Sequence, residues 1–149
     1  MSSTIRHWTV VALVAAFVVC WKAETNQDVA AAQGRKPIMM TRIFTGPDGL
    51  SHAEEIEMKL EGNVSPMMKA TGAEFSRRAP APVSDWHVGP RRQFVITLSG
   101  RAEIEVAGGK KVMIGPGHIN LIEDTTGKGH TTRNIGPDDR IVVTIPLAE

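Results

Sequence analysis

The strongest constraint on this chain lies in its second half, where short alternating runs of apolar and polar residues are cut by glycine-containing turns. QFVITLSG (93–100), RAEIEVAGG (101–109) and KKVMIGPG (110–117) follow one another directly. INLIED (119–124) comes next, and the β-branched run RIVVTIPL (140–147) closes the chain. A period of two is the repeat of a strand with one buried face. Ser99-Gly100 and Gly108-Gly109 read as hairpin turns, because glycine accepts the backbone angles such turns need.

The same reading extends upstream. TGPDG (45–49) is a turn in which Pro47 presets φ and Gly49 accepts a positive one. Beyond it, Ile56, Met58 and Leu60 alternate with Glu55, Glu57, Lys59 and Glu61, which predicts a strand with one wet face rather than a helix. NVSPMMKATG (63–72) is a loop, and AEFSRRAP (73–80) is a short strand that ends at Pro80. The total is eight or nine short strands and no convincing helix. Short strands at a spacing of about ten residues predict an all-β sandwich or barrel.

The start of the chain is of another kind. Arg6 and His7 precede the uncharged run TVVALVAAFVVCW (9–21), and Ala30-Ala31-Ala32 follows. A short basic region, an apolar stretch too short to span a bilayer easily, and small residues at a cleavage point predict a signal peptide. The expected organisation is a signal peptide over 1–32, a linker over 33–40 and one domain over 41–149. The mature protein is then exported, to the periplasm or outside the cell, with no stable membrane insertion after cleavage. The alternative is an uncleaved N-terminal anchor. A lipoprotein at Cys20 is disfavoured because Val19 is bulkier than the small residue usual there.

Cleavage removes the only cysteine, Cys20, so the fold has no disulfide and is held by its core alone. It also removes Arg6, Lys22, Glu24 and Asp28, which leaves 15 basic against 14 acidic residues, from 17 and 16. That balance carries no basic excess or stripe for nucleic acid. EDTTGKGH (123–130) has glycines but lacks the strand–loop–helix setting of a phosphate loop. Trp86 is the one tryptophan that stays.

On its motifs the sequence resembles the cupin superfamily, small double-sheet jelly-roll barrels. The first cupin motif reads G-x5-H-x-H-x3,4-E-x6-G. Here His87 holds the first His position, Gly89 the second, Gln93 the Glu position and Gly100 the closing Gly, while Ala81 stands at the opening Gly. The second motif reads G-x5-P-x-G-x2-H-x3-N. Gly117 starts it, Glu123 and Thr125 stand at the Pro and Gly positions, and His130 comes two residues late, followed at the right spacing by Asn134. The resemblance covers about Phe75 to Leu147. WH-x-x-PRRQF-x-x-TLSG, GPG-x-x-x-L-x-EDTTGKGH and the TGPDG-x-SH opening are similar to one subfamily of small single-domain cupins, which implies fold and motif positions but no activity.

The resemblance implies a metal held by three His and one carboxylate, a set suited to cations that prefer imidazole nitrogen. This chain offers His87 and His130 with Gln93 as a neutral oxygen. Strand alternation puts His87, Gly89, Arg91 and Gln93 on one face, unless the Pro90 kink aims Arg92 inward instead. A guanidinium there opposes a divalent cation. Unit charges about 4 Å apart at an effective dielectric of about 20 interact by about 4 kcal/mol, and a double charge doubles that. The expected cofactor is therefore a weakly bound divalent metal at His87, Gln93 and His130 or, in the favoured reading, none.

Without a metal the same residues serve differently. Arg91 or Arg92 pairs with a substrate carboxylate, or internally with Glu123 or Asp124, since the planar guanidinium forks onto a carboxylate. His87 and His130 act as acid and base, as imidazole titrates near neutral pH, and Gln93 fixes a substrate oxygen. Trp86 either walls the pocket or covers the barrel, and His52 either reaches the pocket or packs at an edge. His118, Lys110-Lys111 and Arg77-Arg78 read as surface.

Three functions follow. The first is an exported cupin that binds a small anionic organic molecule, with lyase, isomerase or hydrolase chemistry at His87 and His130. The second is a ligand-binding or structural module without turnover. The third is a metal-dependent enzyme of dioxygenase type. Cupins commonly dimerise, and KPIMMTRIF (36–44) could cross to a partner as a free strand. Cleavage after Ala32 predicts that exported material has the intact mass of a chain beginning at Gln33. A mature protein that still carries Trp8 contradicts it.

Overall fold

A computed structural model describes residues 36–148, and the expected signal peptide lies outside the described residues. Two units are distinguished, Met1–Pro37 and Ile38–Glu149. Of the first only Lys36 and Pro37 are described, both exposed. The second is built of strands. They are β1 (Met39–Thr45), β2 (Ser51–Glu57), β3 (Glu74–Arg78), β4 (Gln93–Ser99), β5 (Arg101–Glu105), β6 (Lys111–Ile114), β7 (Ile119–Glu123), β8 (Thr131–Ile135) and β9 (Arg140–Pro146). The one helical element among the described residues is a single turn at Ala107–Gly109.

The strands form a six-stranded sheet in the order β2-β1-β7-β4-β9-β3 and a three-stranded sheet in the order β6-β5-β8. β1 and β7 are parallel, and every other pairing is antiparallel. The alternation seen in the sequence is what fills the space between the sheets. Ile43, Val95, Ile122 and Val142 from the large sheet meet Ala102, Ile104 and Ile114 from the small one. Burying each of these Ile or Val side chains contributes about 1.5–3 kcal/mol. Neighbouring residues point the other way. Phe94, Leu121, Met40 and Leu147 form a second cluster on the outer face of the large sheet.

Two sequence expectations change. β1 begins at Met39, inside the stretch expected as linker, because Met40 packs in the outer cluster and Met39 pairs with Glu57. β1 lies between β2 and β7 in its sheet. Finally, Ser99-Gly100 joins strands of different sheets and is a corner, whereas Gly108-Gly109 does turn the β5–β6 hairpin.

The segment before β4 is not a regular strand, yet it is fastened to the edge of the barrel residue by residue. Ser84 N–H donates to Thr132 O, and Ser84 Oγ accepts from Thr132 N–H. His87 and His130 exchange backbone bonds of 3.0 and 2.9 Å, and Gly89 N–H donates to Asp124 O. The Asn134 amide donates to Arg78 O and Ala79 O at the start of the segment. Gly129 makes the close approach possible. Its φ is +77°, and a Cβ there would lie 2.0 Å from His87 O.

Gly129→Ala is therefore expected to cost at least about 2 kcal/mol, from the left-handed backbone and the backbone collision together. Gly72, with open space around it and no positive φ, is the control, and its Ala variant should stay within about 0.5 kcal/mol of the parent. Urea unfolding of the two variants measures the difference.

Candidate functional site

A cavity of about 170 Å³ opens between the sheets. Its lining has three parts. His87, Gln93 and His130 are polar groups near the fastened segment. Val95, Ile104 and Ile122 are its apolar members, and Asn120, Thr132, Arg78 and Arg140 supply further polar groups. Strand alternation explains the set: Gln93, Val95 and Thr97 on β4 face one side, as do Asn120, Ile122 and Asp124 on β7 and its end.

The two histidines expected to meet do meet. Their ring centroids are 4.6 Å apart, with planes at 54°. His130 is buried and His87 is exposed, so His87 stands at the mouth. His87 Nδ1 lies 2.9 Å from Asp85 O, an acceptor only, so Nδ1 carries the proton and donates. His130 Nδ1 lies 2.7 Å from Asp124 Oδ2 and donates to that carboxylate. Both rings therefore leave Nε2 for a ligand. Asp124 is fully buried, its Oδ2 also accepts from Ser51 Oγ at 2.8 Å, and its Oδ1 has no partner among the described residues. A buried carboxylate behind an imidazole fixes the tautomer and the orientation of the ring. Asp124 thus sits behind His130 as a positioning residue, not on the cavity wall as a substrate contact.

Arg140 is the unusual member of the lining. It is 1% exposed, and its Nε and Nη2 both donate to Thr97 Oγ1, at 3.1 and 3.0 Å. No carboxylate pairs with it among the described residues. Burial, and then the charge of Arg78, pull its pKa down to about 10, which still leaves it cationic at neutral pH. Asn120, fully buried, has neither amide atom satisfied by a well-formed hydrogen bond. It lies close enough to His118 to influence that ring's titration, but the ring's hydrogen bond goes to Thr41 Oγ1 at 2.9 Å. His118 is half-buried rather than a surface residue, and burial pushes its imidazole below the usual range.

Several expected contacts are elsewhere. Arg91 is exposed and does not line the cavity, because the chain bends through residues 90–92 and strand alternation starts only at Gln93. Arg92 does not turn inward either. Its Nε donates to Glu123 Oε1, and Arg42 Nε donates to Glu123 Oε2. Burial works to raise the Glu123 carboxyl, but these two guanidinium bonds outweigh it and hold the group below the ordinary carboxylate range. Glu123 is thereby consumed as a structural ion pair. Trp86 is 39% exposed and lies under Lys128 Nζ, 4.3 Å from the ring centroid, so it covers the surface rather than walling the cavity. His52 hydrogen-bonds Asp48 at 3.0 Å beside the TGPDG turn, away from the cavity. Arg78, Asn120 and Arg140 were not among the expected site residues. Alternation could have found two of them, since Arg140 shares a face with buried Val142 and Asn120 with buried Ile122.

The residues do not fit the metal that the cupin resemblance implies. His87, Gln93 and His130 do surround one cavity. The second His position, however, is Gly89, and a Cβ there would lie 2.4 Å from Ile122 Cγ2, so a side chain is shut out by the core. Two guanidinium groups share the cavity wall, and the nearest carboxylate is engaged behind His130. Among the described residues no group of three or more His, Cys, Asp or Glu is placed to hold a cation.

No family model and no curated protein matches the chain. Solved structures do resemble it in part. Protein NMB1881 from Neisseria meningitidis is 15% identical, with a TM-score of 0.39 over 55% of this chain and 84% of that one. A conserved protein with a double-stranded β-helix domain from Klebsiella pneumoniae is 21% identical, with a TM-score of 0.39 over 62% and 91%. The Cnp3 cupin domain of Schizosaccharomyces pombe is 14% identical, with a TM-score of 0.36 over 79% and 88%. The all-β two-sheet fold of this chain rests on its own strand order and sheet pairing.

Proposed function

We propose that this is an exported cupin-type protein that binds a small anionic organic molecule in its cavity and carries out proton transfer on it through His130 and His87. The observation that carries the reading is Arg140. A buried guanidinium with a single hydroxyl acceptor is costly, because a buried charge needs a partner and its donors need acceptors. Here it lines a cavity, beside a second cation and an unsatisfied amide. An anionic ligand supplies the missing acceptor, and a cavity of about 170 Å³ limits that ligand to a small molecule.

His130 is the base in this reading. Its Nε2 takes a proton from the ligand while Asp124 stabilises the resulting imidazolium. His87, exposed at the mouth, takes up a proton from water at Nε2 and passes it to the ligand, and His130 then gives its own proton back to water. A proton removed at one position and restored at another is an isomerisation, and it needs no co-reactant. A lyase or hydrolase step uses the same pair with a leaving group or a water.

Arg140→Met tests the binding half. Removing the charge–carboxylate hydrogen bonds should weaken binding of small carboxylates about 10- to 150-fold. The ligand-free variant should melt at or above the parent temperature, because an unpaired buried charge has been replaced by an apolar chain of similar length. Calorimetric titration and thermal melts read both. A variant that melts well below the parent and binds acids equally well assigns Arg140 a purely structural role.

His130→Ala tests the chemical half. With a carboxylate that binds, turnover should fall at least about 100-fold while affinity changes little. A parent protein that holds such an acid unchanged through long incubation is a binding module without turnover.

A further inference from the structure

The strand pair β3–β9 carries two arginines on its inner face with no acid between them. Ser76 pairs with Val142, and Arg78 with Arg140. Directly opposite residues of an antiparallel pair share a face, and Val142 belongs to the core between the sheets. Arg78 and Arg140 therefore both face the interior, and both line the cavity. Arg140 is buried, whereas Arg78 ends an edge strand and is exposed, so it lines the cavity from its solvent side. Like charges directly opposite one another destabilise a sheet. The charge of Arg78 does reach its neighbour, where it adds to burial in lowering the Arg140 pKa. Arg77, on the outward face of the same strand, is paired with Asp139 at 2.9 Å. A carboxylate is thus on hand one residue before Arg140, and it goes to the outward arginine. Among the described residues no carboxylate pairs with Arg78 or Arg140. The cavity lining contains none, and Asp124 engages Ser51 and His130 instead.

From this we infer that the anion bound in the cavity is a dianion, a small dicarboxylate or a phosphate monoester, whose negative oxygens serve Arg78 as well as Arg140. The inference rests on the anion-binding reading above and narrows it to a charge class. A monocarboxylate offers one fork of acceptors and satisfies one guanidinium bidentately. The other arginine then stays without a counter-charge. A second negative charge removes that deficit and relieves the repulsion across the strand pair. Neutral sugars and alcohols bring acceptors but no charge, and they leave both arginines uncompensated. The two arginines do not count equally. Arg78 is exposed, so water and salt screen its share, which is worth up to about fivefold in affinity. The hydrogen bonds of buried Arg140 to a carboxylate are worth about 10- to 150-fold. Arg140 thus sets whether an anion binds, and Arg78 sets which charge class binds best.

The test compares ligands of equal size that differ by one charge. Calorimetry on the full chain measures malonate against malonamate, succinate against succinamate, and methyl phosphate against dimethyl phosphate. The runs are made at pH 8, where a phosphate monoester carries about two charges, and at about 0.15 M salt, which screens long-range attraction. In at least one pair the dianion should bind about three- to fivefold more tightly than its singly charged partner. A preference in the carboxylate pairs assigns a dicarboxylate, and one in the phosphate pair a phosphate monoester. That preference should vanish in Arg78→Met and persist in Arg78→Lys, which keeps the charge. It should also persist in Arg77→Met, which removes the outward arginine of the same strand. Equal affinity within every pair overturns the dianion class and leaves the anion-binding reading standing. So does a preference that survives Arg78→Met, or one that Arg77→Met abolishes as well. Failure of every anion to bind the parent protein overturns both.

Discussion

The pair of backbone hydrogen bonds between His87 and His130 is what the site depends on. Without it the segment before β4 has no strand partner at that point and the barrel mouth is undefined. With it, two residues that are distant in sequence are held opposite one another. Antiparallel opposition then brings their rings to 4.6 Å without any side-chain bond between them. The contact demands glycine at position 129, because the His87 carbonyl occupies the place where a Cβ would be. It also places Asp124, a few residues before the bridge, directly behind the His130 ring. Fold and site are in this respect the same set of bonds.

Charge is sorted by depth. The acid at the rim, Glu123, is satisfied twice over by Arg42 and Arg92, and the rim guanidiniums are exposed to water as well. Farther in, Asp124 is hydrogen-bonded through Oδ2 by Ser51 and His130, while Arg140 has only Thr97. A protein that needed Arg140 only for packing would gain from replacing it with an apolar residue, since burying an unpaired cation opposes folding. Arg140 instead lines a cavity, and no carboxylate pairs with it among the described residues.

How much of this was legible in the sequence divides along physical lines. Strand alternation and glycine turns were enough for the all-β architecture, because period two follows directly from the pleat. The two histidines were legible through motif spacing, although His130 stands two residues late. The guanidinium of the site was sought in the right chemistry but the wrong place. Arg91 and Arg92 lie in a bend, where alternation has no force, and Arg92 found Glu123 first. Arg140 stood in plain alternation with Val142 and Thr144 but opens its strand, where an arginine reads as a solvated end. What no sequence pattern states is the register between β4 and β7. That register sets Asn120 opposite Val95 and so gives the cavity its unsatisfied amide.

The loss of the metal-type ligand set and the presence of Arg140 are linked through one packing decision. Ile122 sits where a side chain at position 89 would go, and it belongs to the core between the sheets. A histidine at 89 would have to displace it, at a cost of about 2–5 kcal/mol for the cavity or collision that follows. With that wall apolar, His87 and His130 are two donors where a tightly held cation needs three or four. The same interior can then hold a guanidinium without electrostatic conflict. A cation site at the histidines and an uncompensated Arg140 within one small cavity would repel each other. The apolar Ile122 side chain therefore closes position 89 to a third ligand in the cavity that Arg140 shares with the two histidines.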